Sequence, residues 1–270
     1  MGLKKFLKGV AEKIESKPIP ERCQVFGKTM YLQKKGPQYL QLAKYGIYEK
    51  ETTEYFLENV SEGNVVLDIG ANIGYFTLLF ASLVGKEGKV FAYKPEPSNF
   101  EILKKNVKTN NFQNVILENV AVTNATGTTE LYLSEKAAGQ HRIYKSKHVS
   151  ENHISVKTIR LDDYLNTTPF FEKISFIKLD AEGSEFGVVK GMEKVLSQNK
   201  PIEMIMEFSP RQIRDSGADP IDQLNYLKNI QFDFYTVDKI KEKQHKFKNV
   251  EEIVKKFEGS AENLLCKKSG

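Results

Sequence analysis

The sequence predicts an α/β protein with a doubly wound, mostly parallel sheet. From Glu51 onward, short β-branched runs alternate at close spacing with amphipathic segments of helical periodicity. The runs are apolar almost throughout, which is typical of strands that are buried on both faces. Together these two observations indicate parallel strands with helices covering both sides of the sheet.

The predicted elements follow one another in a regular order. The predicted strands are VVLDIG, KVFAY, VILENVAV, ISFIKLD, IEMIMEF, FDFYTV and ENLLCKK. The predicted helices are ETTEYFLENV, IGYFTLLFASLV, SNFEILKKNVKTN, FGVVKGMEKVLSQ and DPIDQLNYLKNI. Residues 127–165, between the third and fourth of these strands, are too many for an ordinary connection. Their alternating segments ELYLS and ISVKTIRL predict an insert of antiparallel strands.

Residues 1–50 are predicted to form a basic, helical extension of a domain at residues 51–270. They carry eleven Lys or Arg against four acidic residues, so the remaining chain sums to about −2. The segment MGLKKFLKGVAEKIE has the pattern of an amphipathic helix. We interpret it as packing on the domain, and peripheral contact with a membrane surface is the alternative. The stretch KPIPERCQVFGKTMYLQ that follows predicts a short strand or hairpin.

Composition argues against several classes of protein. No run approaches the roughly 18 to 20 apolar residues of a membrane span, and the N-terminus lacks the features of a secretory signal, so we expect a cytoplasmic protein. Cys23 and Cys266 lie far apart with no His or Cys at metal-ligand spacing, so we expect neither a disulfide framework nor a metal site. The slightly acidic body argues against a nucleic-acid partner.

An acid and a glycine turn follow the first predicted strand, in LDIGANIGYFT. Gly70 permits a turn with positive φ, and Gly74 lets the helix start pack closely. The pattern D-x-G-x-x-x-G lacks the middle glycine of dinucleotide sites, where this chain has Asn72. The turn suits a ligand with an amino-acid group, with Asp68 near the ammonium and the helix start near the carboxylate. S-adenosylmethionine is such a ligand, and a plain strand-to-helix turn is the structural alternative.

Three ordered blocks resemble the FkbM-type methyltransferases, over roughly residues 45–210. The blocks are YEKETTEYFLENVSEGNVVLDIGANIGYFTLLFA, FAYKPEPSNFEILKKNV and ISFIKLDAEGSEFGVVKGMEKVL. The resemblance implies a class I methyltransferase whose seven-stranded sheet has an antiparallel last strand. It also implies methyl transfer from S-adenosylmethionine, most often to a hydroxyl oxygen of a sugar, lipid or other small molecule. Carried over to this chain, it implies cofactor contacts from Asp68, Gly70, Ala71, Asn72 and Gly74 at the methionine end and from Asn119, Val120 and Ala121 beside the adenine.

The segment LDAEGSE places two acids just beyond the fourth predicted strand, at the edge where open α/β sheets bind ligands. Methyl transfer needs an aligned acceptor oxygen and a group that removes its proton. We therefore predict Asp180 or Glu182 as the base, with helix capping as the alternative role. His141 is a second candidate, because its ordinary pKa near 6.5 suits proton transfer. Arg142 could hold an anionic group or be solvated.

Lys94, in FAYKPEP, departs from the pattern of the resembled family, which has glutamate before this proline. That glutamate accepts hydrogen bonds from both ribose hydroxyls of the cofactor, whereas lysine has only donors. Either Glu96 supplies the missing acceptor, or Lys94 turns outward or toward an anionic acceptor, or cofactor binding is weakened. A lysine stem on the pocket rim is the plain structural alternative. We expect Lys94→Glu to tighten cofactor binding and Glu96→Ala to weaken it.

Two other classes of function stay open. An NADP-dependent oxidoreductase would pair Lys94 with a ribose 2′-phosphate, although the missing G-x-G argues against it. A non-catalytic relative would keep the fold with weakened cofactor binding. RNA methylation is supported only by the basic run KIKEKQHKFK, which fits a solvated loop equally well.

Overall fold

The computed structural model describes most of the chain. The described residues are 19–34, 36–134, 141–146, 151–237 and 245–268. The predicted amphipathic helix at the N-terminus and most of the basic run KIKEKQHKFK lie outside them. Within the described residues, none of the helices has the length and apolar character needed to cross a membrane.

The described residues form twelve strands and ten helices. The strands are β1 (Arg22–Val25), β2 (Lys28–Tyr31), β3 (Val65–Ile69), β4 (Lys89–Tyr93), β5 (Val115–Glu118), β6 (Ala121–Val122), β7 (Gly127–Tyr132), β8 (His153–Ile159), β9 (Ile174–Leu179), β10 (Ile202–Phe208), β11 (Asp233–Thr236) and β12 (Glu262–Lys268). The helices are α1 (Pro37–Tyr45), α2 (Lys50–Asn59), α3 (Tyr75–Leu83), α4 (Pro97–Thr109), α5 (Leu161–Leu165), α6 (Glu185–Gly191), α7 (Glu193–Gln198), α8 (Pro210–Asp215), α9 (Pro220–Asn229) and α10 (Val250–Phe257).

Seven strands form the central sheet, in the order β11-β12-β10-β9-β3-β4-β5. All run parallel except β12, which is antiparallel to both β10 and β11. The predicted fold class, including the antiparallel last strand, is therefore confirmed. The strand order reverses at β3, which lies between β4 and β9. Ligands of open α/β sheets bind at such a switch point, beyond the carboxyl ends of the strands.

Two apolar layers bury the sheet, one on each face. Along β3, Val65, Leu67 and Ile69 pack into one layer, whereas Val66 packs into the other. This alternation follows from the two-residue period of a strand. One layer receives helices α5 to α10, and the other receives the β1-β2 hairpin and helices α1 to α3. The predicted hairpin is thus present, and it packs on the same face of the sheet as helices α1 to α3.

The insert begins earlier than predicted, because VILENVAV is not one strand. It breaks after β5, and β6 leaves the central sheet to pair in parallel with β8, which pairs antiparallel with β7. At the break, Asn119 Nδ2 donates to Lys94 O at 2.8 Å and to Pro95 O at 3.0 Å. The side chain of Asn119 therefore fixes the backbone beside the end of β4.

The predicted helix FGVVKGMEKVLSQ is two helices, α6 and α7, that meet at Met192. A Cβ at Gly191 would lie 2.0 Å from Thr123 O, so the backbone of the insert passes against the helix at this point. Helices α1, α5, α8 and α10 were not predicted. The first three have only nine, five and six residues, which leaves little periodicity to detect.

Candidate functional site

The turn after β3 and the turn after β9 touch at Gly70. A Cβ at this position would lie 1.8 Å from Asp180 O, and Gly70 has φ +88°. Only glycine combines this backbone conformation with such a close approach. The amides of Gly70 and Ala71 donate to Tyr93 O at the end of β4, at 3.1 and 3.0 Å. Three strand ends are thereby held together.

Asp68 is a buried acid at the floor of this edge, 2% exposed. Thr77 Oγ1 donates a hydrogen bond to its Oδ2 from the first turn of α3. Burial raises the pKa of the Asp68 carboxyl to about 6, against the opposing effects of this hydrogen bond and of the nearby Lys178 ammonium. Shifted pKa values of this kind are frequent among the buried acids of functional sites.

Asn72 replaces the middle glycine of a dinucleotide turn and adopts positive φ, +50°. Its Oδ1 accepts hydrogen bonds from Tyr39 OH and Asn99 Nδ2, both at 3.1 Å. These two hydrogen bonds fix the side chain of Asn72, which stands where a dinucleotide turn has glycine. Gly74 has φ +98°, and a Cβ there would lie 2.6 Å from Leu103 Cδ1 of α4. The predicted close packing at Gly74 is therefore present.

Two cavities adjoin at this edge and share Gly70 and Asp180 in their walls. The Lys94 cavity is lined also by Lys94, Val120, Ala121, Leu131, His141 and Glu182. The Asp68 cavity is lined also by Tyr39, Glu49, Asp68, Ala71, Asn72 and Lys178. Most of the predicted site residues are thus gathered here, whereas Gly74, Glu96 and Asn119 are not in either wall.

Glu96 is the N-cap of α4 rather than a free acceptor. Its two carboxylate oxygens accept from the Ser98 amide at 2.9 Å and the Asn99 amide at 2.7 Å. Such bonds satisfy amides that have no partner within the helix. Because both oxygens are engaged in the cap, the geometry does not support the alternative in which Glu96 replaces the missing ribose acceptor.

Glu182 lies on a tight turn between β9 and α6, with positive φ of +53°. Its carbonyl accepts a hydrogen bond from Tyr144 OH at 2.9 Å, and a Cβ at Gly183 would lie 2.4 Å from the same hydroxyl. Tyr144 of the insert therefore holds this turn. Burial and the neighbouring Asp180 carboxylate raise the pKa of the Glu182 side chain to about 8.

Asp180, Glu185 and Glu207 bring three carboxyl groups together at the ends of β9 and β10. Their oxygens lie within 4.8 Å of one another, a spacing that would suit a cation, although we expected no metal site from the sequence. Burial raises the pKa of Glu185 to about 7 and, with the Asp180 charge, that of Glu207 well above its ordinary range. Protons on these two groups would also relieve the repulsion.

The predicted loop residues lie at the same edge. His141 lines the Lys94 cavity, and its Nδ1 accepts from the Ser134 amide at 3.1 Å. Arg142 is 6% exposed, so it is not solvated. Its guanidinium donates to Ser146 Oγ at 3.2 Å and stacks over Tyr144. Arg142 therefore supports the turn that Tyr144 holds.

Sequence reasoning missed Glu49 and Lys178. Lys178 Nζ lies 3.5 Å from Glu49 Oε2 and 3.7 Å from Asp180 Oδ2. The signal for Lys178 was present, because a lysine interrupts the apolar strand ISFIKLD. No feature of the sequence pattern indicated that Glu49 belongs to the site. Glu49 stands in the left-handed region, φ +43°, just before α2, where only the tertiary structure brings it to the site.

A family model described as the methyltransferase FkbM domain matches residues 68–242 of this chain. The chain belongs to this family. The predicted family, the methyltransferase class and the cofactor, S-adenosylmethionine, are confirmed with it. The matched residues include the described walls of the Lys94 cavity, the insert and the carboxyl cluster. In the Asp68 cavity they include the glycine turn and Lys178, whereas Tyr39 and Glu49 precede the match.

Two curated relatives show how far the similarity extends. "Methyltransferase 1" of Beauveria bassiana is 24% identical over 149 residues, which cover 49% of this chain and 59% of the relative. "Hexuronic acid methyltransferase AglP" of Haloferax volcanii is 29% identical over 149 residues, covering 55% and 58%. The match thus spans less than two thirds of each relative. A solved S-adenosylmethionine-dependent O-methyltransferase from Thermotoga maritima aligns with 97% of this chain and 82% of its own, at 12% identity and a TM-score of 0.46.

Proposed function

We propose that this protein is an O-methyltransferase that methylates a hydroxyl group of a sugar, lipid or other small molecule, with Asp180 as the base. One observation carries the proposal. Asp180 is the acidic side chain common to the walls of both cavities, so it lies where the methionine end and the adenosine end of the methyl donor would meet. A base has to occupy such a place to reach the acceptor hydroxyl.

The residues present fit the cofactor. The glycine turn brings backbone close to the shared wall, Asp68 provides a buried negative charge, and apolar side chains such as Val120 and Ala121 provide a slot for a flat base. When bound, S-adenosylmethionine supplies a methyl carbon that its sulfonium has already activated. The protein then has to align an acceptor oxygen and take up one proton.

Asp180 suits that task better than Glu182 because of Lys178. The Lys178 ammonium lies 3.7 Å from Asp180 Oδ2 and forms an ion pair with it. By contrast, the raised pKa of Glu182 keeps much of it protonated at neutral pH. As Asp180 removes the hydroxyl proton, Lys178 stays paired with Glu49, so the buried ammonium is never without a counter-charge.

An open cleft of about 640 Å³ adjoins the Asp68 cavity and offers a path for the acceptor. The two share Tyr48 and Glu49, and the cleft continues past Glu207, Thr236 and Asn263. Its polar lining of carboxylates, hydroxyls and an amide suits a hydroxylated acceptor. The name of the Haloferax volcanii relative supports including sugar acids among the acceptors to be tested.

The test uses isotope-labelled S-adenosylmethionine with a panel of hexoses, hexuronic acids and lipid extracts, followed by mass spectrometry. We expect label in a hydroxyl ether of one class, and loss of at least a hundredfold in turnover for Asp180→Asn with S-adenosylhomocysteine binding retained. Full turnover by Asp180→Asn would overturn its role as base. If S-adenosylhomocysteine at saturation leaves the melting temperature unchanged, the proposed function itself fails.

A further inference from the structure

Lys94 is a lysine buried at the carboxyl edge of the sheet. Its side chain is 6% exposed, and it lines the cavity beyond β4. Among the residues that the structure describes, no hydrogen bond or ion pair within 4.0 Å reaches its ammonium. Burial lowers its pKa, against the opposing charges of Glu182, Asp180 and Glu96. Such a group is costly to bury unless a ligand completes its hydrogen bonds.

The carboxyl group of Glu182 lines the same cavity. In the described part of the chain this carboxyl group likewise has no hydrogen bond or ion pair, and its backbone is fixed by Tyr144. Lys94 and Glu182 thus line one cavity without forming an ion pair. Together they offer a ligand in that cavity the N–H donors of an ammonium and the acceptor oxygens of a carboxyl group.

A neutral vicinal diol matches this arrangement. Each hydroxyl both accepts and donates, so one oxygen can accept from the ammonium while a hydroxyl hydrogen is donated to the carboxylate. A phosphate does not match, because its oxygens are mainly acceptors and the nearby Asp180 carboxylate would repel it. The walls beside the pair are apolar, formed by Val120, Ala121 and Leu131. A diol next to an apolar slot is the shape of a nucleoside.

We propose that Lys94 and Glu182 both bind the cofactor's ribose. Lys94 donates a hydrogen bond to one hydroxyl oxygen, and Glu182 accepts a hydrogen bond from a hydroxyl group. This inference rests on the proposed function, since it places the adenosine of S-adenosylmethionine in the Lys94 cavity. It gives Glu182 a binding role and leaves the proton transfer to Asp180. Glu182, which follows β9, thereby supplies the acceptor that the family's glutamate would supply at position 94.

The arrangement reverses the effect that the sequence led us to expect for Lys94→Glu. A glutamate at this position would join Glu182, Asp180 and Glu96, the three acids whose charges act on Lys94. Like charges at short range in a buried site are unfavourable. We now expect Lys94→Glu to weaken cofactor binding by tenfold or more, or to force one acid to take up a proton.

The test measures binding of S-adenosylhomocysteine and of its 2′,3′-dideoxy analogue by isothermal titration. The wild-type protein should bind the analogue on the order of tenfold to a hundredfold more weakly. Lys94→Met and Glu182→Gln should bind S-adenosylhomocysteine about tenfold more weakly and lose much of the discrimination between the two ligands. Lys94→Gln is a second variant that removes the charge but keeps some polarity, in case the Met variant does not fold.

Lys89→Met is the matched control, because Lys89 begins the same strand that Lys94 follows. It should keep the wild-type discrimination. Undiminished discrimination in both Lys94→Gln and Glu182→Gln would overturn the inference, as would tighter binding by Lys94→Glu. These results are distinct from a failure of the proposed function, in which the wild-type protein binds neither ligand.

Discussion

Lys178 Nζ lies 3.7 Å from Asp180 Oδ2, two residues along the chain, with the lysine side chain 3% exposed. Residues i and i+2 of a strand point to the same face, so the pair follows from β9 continuing extended into the turn. Burial by itself lowers the pKa of Lys178, but the carboxylates of Glu49 and Asp180 raise it above the ordinary value. The ammonium therefore stays charged and orders the acids around it.

Lys178→Met should be strongly destabilising and should also impair turnover. Removing one member of a buried ion pair costs about 3–5 kcal/mol, because it leaves uncompensated charge. Here Glu49 and Asp180 would be left without their shared cation. Urea unfolding measures the loss, with Lys194→Met, an exposed lysine of α7, as a control expected within about 0.5 kcal/mol of the wild type. A loss below about 1 kcal/mol for Lys178→Met would contradict this account.

Asp68→Asn should stabilise the fold while weakening cofactor binding. The folded state raises the pKa of Asp68 from 3.8 to about 6, so this group makes the protein less stable as pH rises through that interval. This shift in the pKa of Asp68 lowers the free energy of unfolding by at most about 3 kcal/mol at neutral pH. Asparagine can keep the hydrogen bond from Thr77 without the buried charge.

The measurement for Asp68→Asn is urea unfolding between pH 4 and pH 8, together with titration of S-adenosylhomocysteine. The stability gain over the wild type should be largest above pH 6 and vanish near pH 4. A variant that is less stable than the wild type at pH 7 would show that the Asp68 charge is compensated by Lys178. If the variant binds S-adenosylhomocysteine with unchanged affinity, Asp68 does not contribute to cofactor binding.

Gly70→Ala should abolish the site, whereas Gly187→Ala should be tolerated. At Gly70 a Cβ would lie 1.8 Å from Asp180 O and φ is +88°. At Gly187, in α6, nothing lies within 4 Å of the added carbon. We expect a loss of at least about 3 kcal/mol for the first and a gain of about 0.5–1 kcal/mol for the second. Thermal unfolding of the two variants in parallel checks this contrast. Equal changes in stability for the two variants would refute it.

Glu96→Ala should lower stability by about 0.5–2 kcal/mol through loss of the α4 cap. Glu96→Ser, which restores a capping oxygen but not the carboxylate, should recover most of that loss. Neither variant should change the discrimination between S-adenosylhomocysteine and its dideoxy analogue. If Glu96→Ser keeps the stability but loses the discrimination, then Glu96 contacts the ribose after all.

The strand and helix order could be predicted because the apolar pattern along this chain is strong. The antiparallel β12 was placed to the residue, since ENLLCKK is bounded by polar sequence on both sides. The break between β5 and β6 could not be predicted. VILENVAV is equally apolar on both sides of Asn119, and what divides it is a pair of hydrogen bonds to carbonyls 24 and 25 residues away.

The family, the glycine turn and the acids at the strand ends could be predicted from the sequence, because they depend on residue types at fixed short spacing. The distribution of charge in the site follows from the tertiary structure. That structure assigned Glu96 to a helix cap, buried Lys94 opposite Glu182, and brought Glu49 to Lys178 across 129 positions of sequence. Electrostatic energy depends on distance and burial, and neither is encoded in the spacing of residues along the chain.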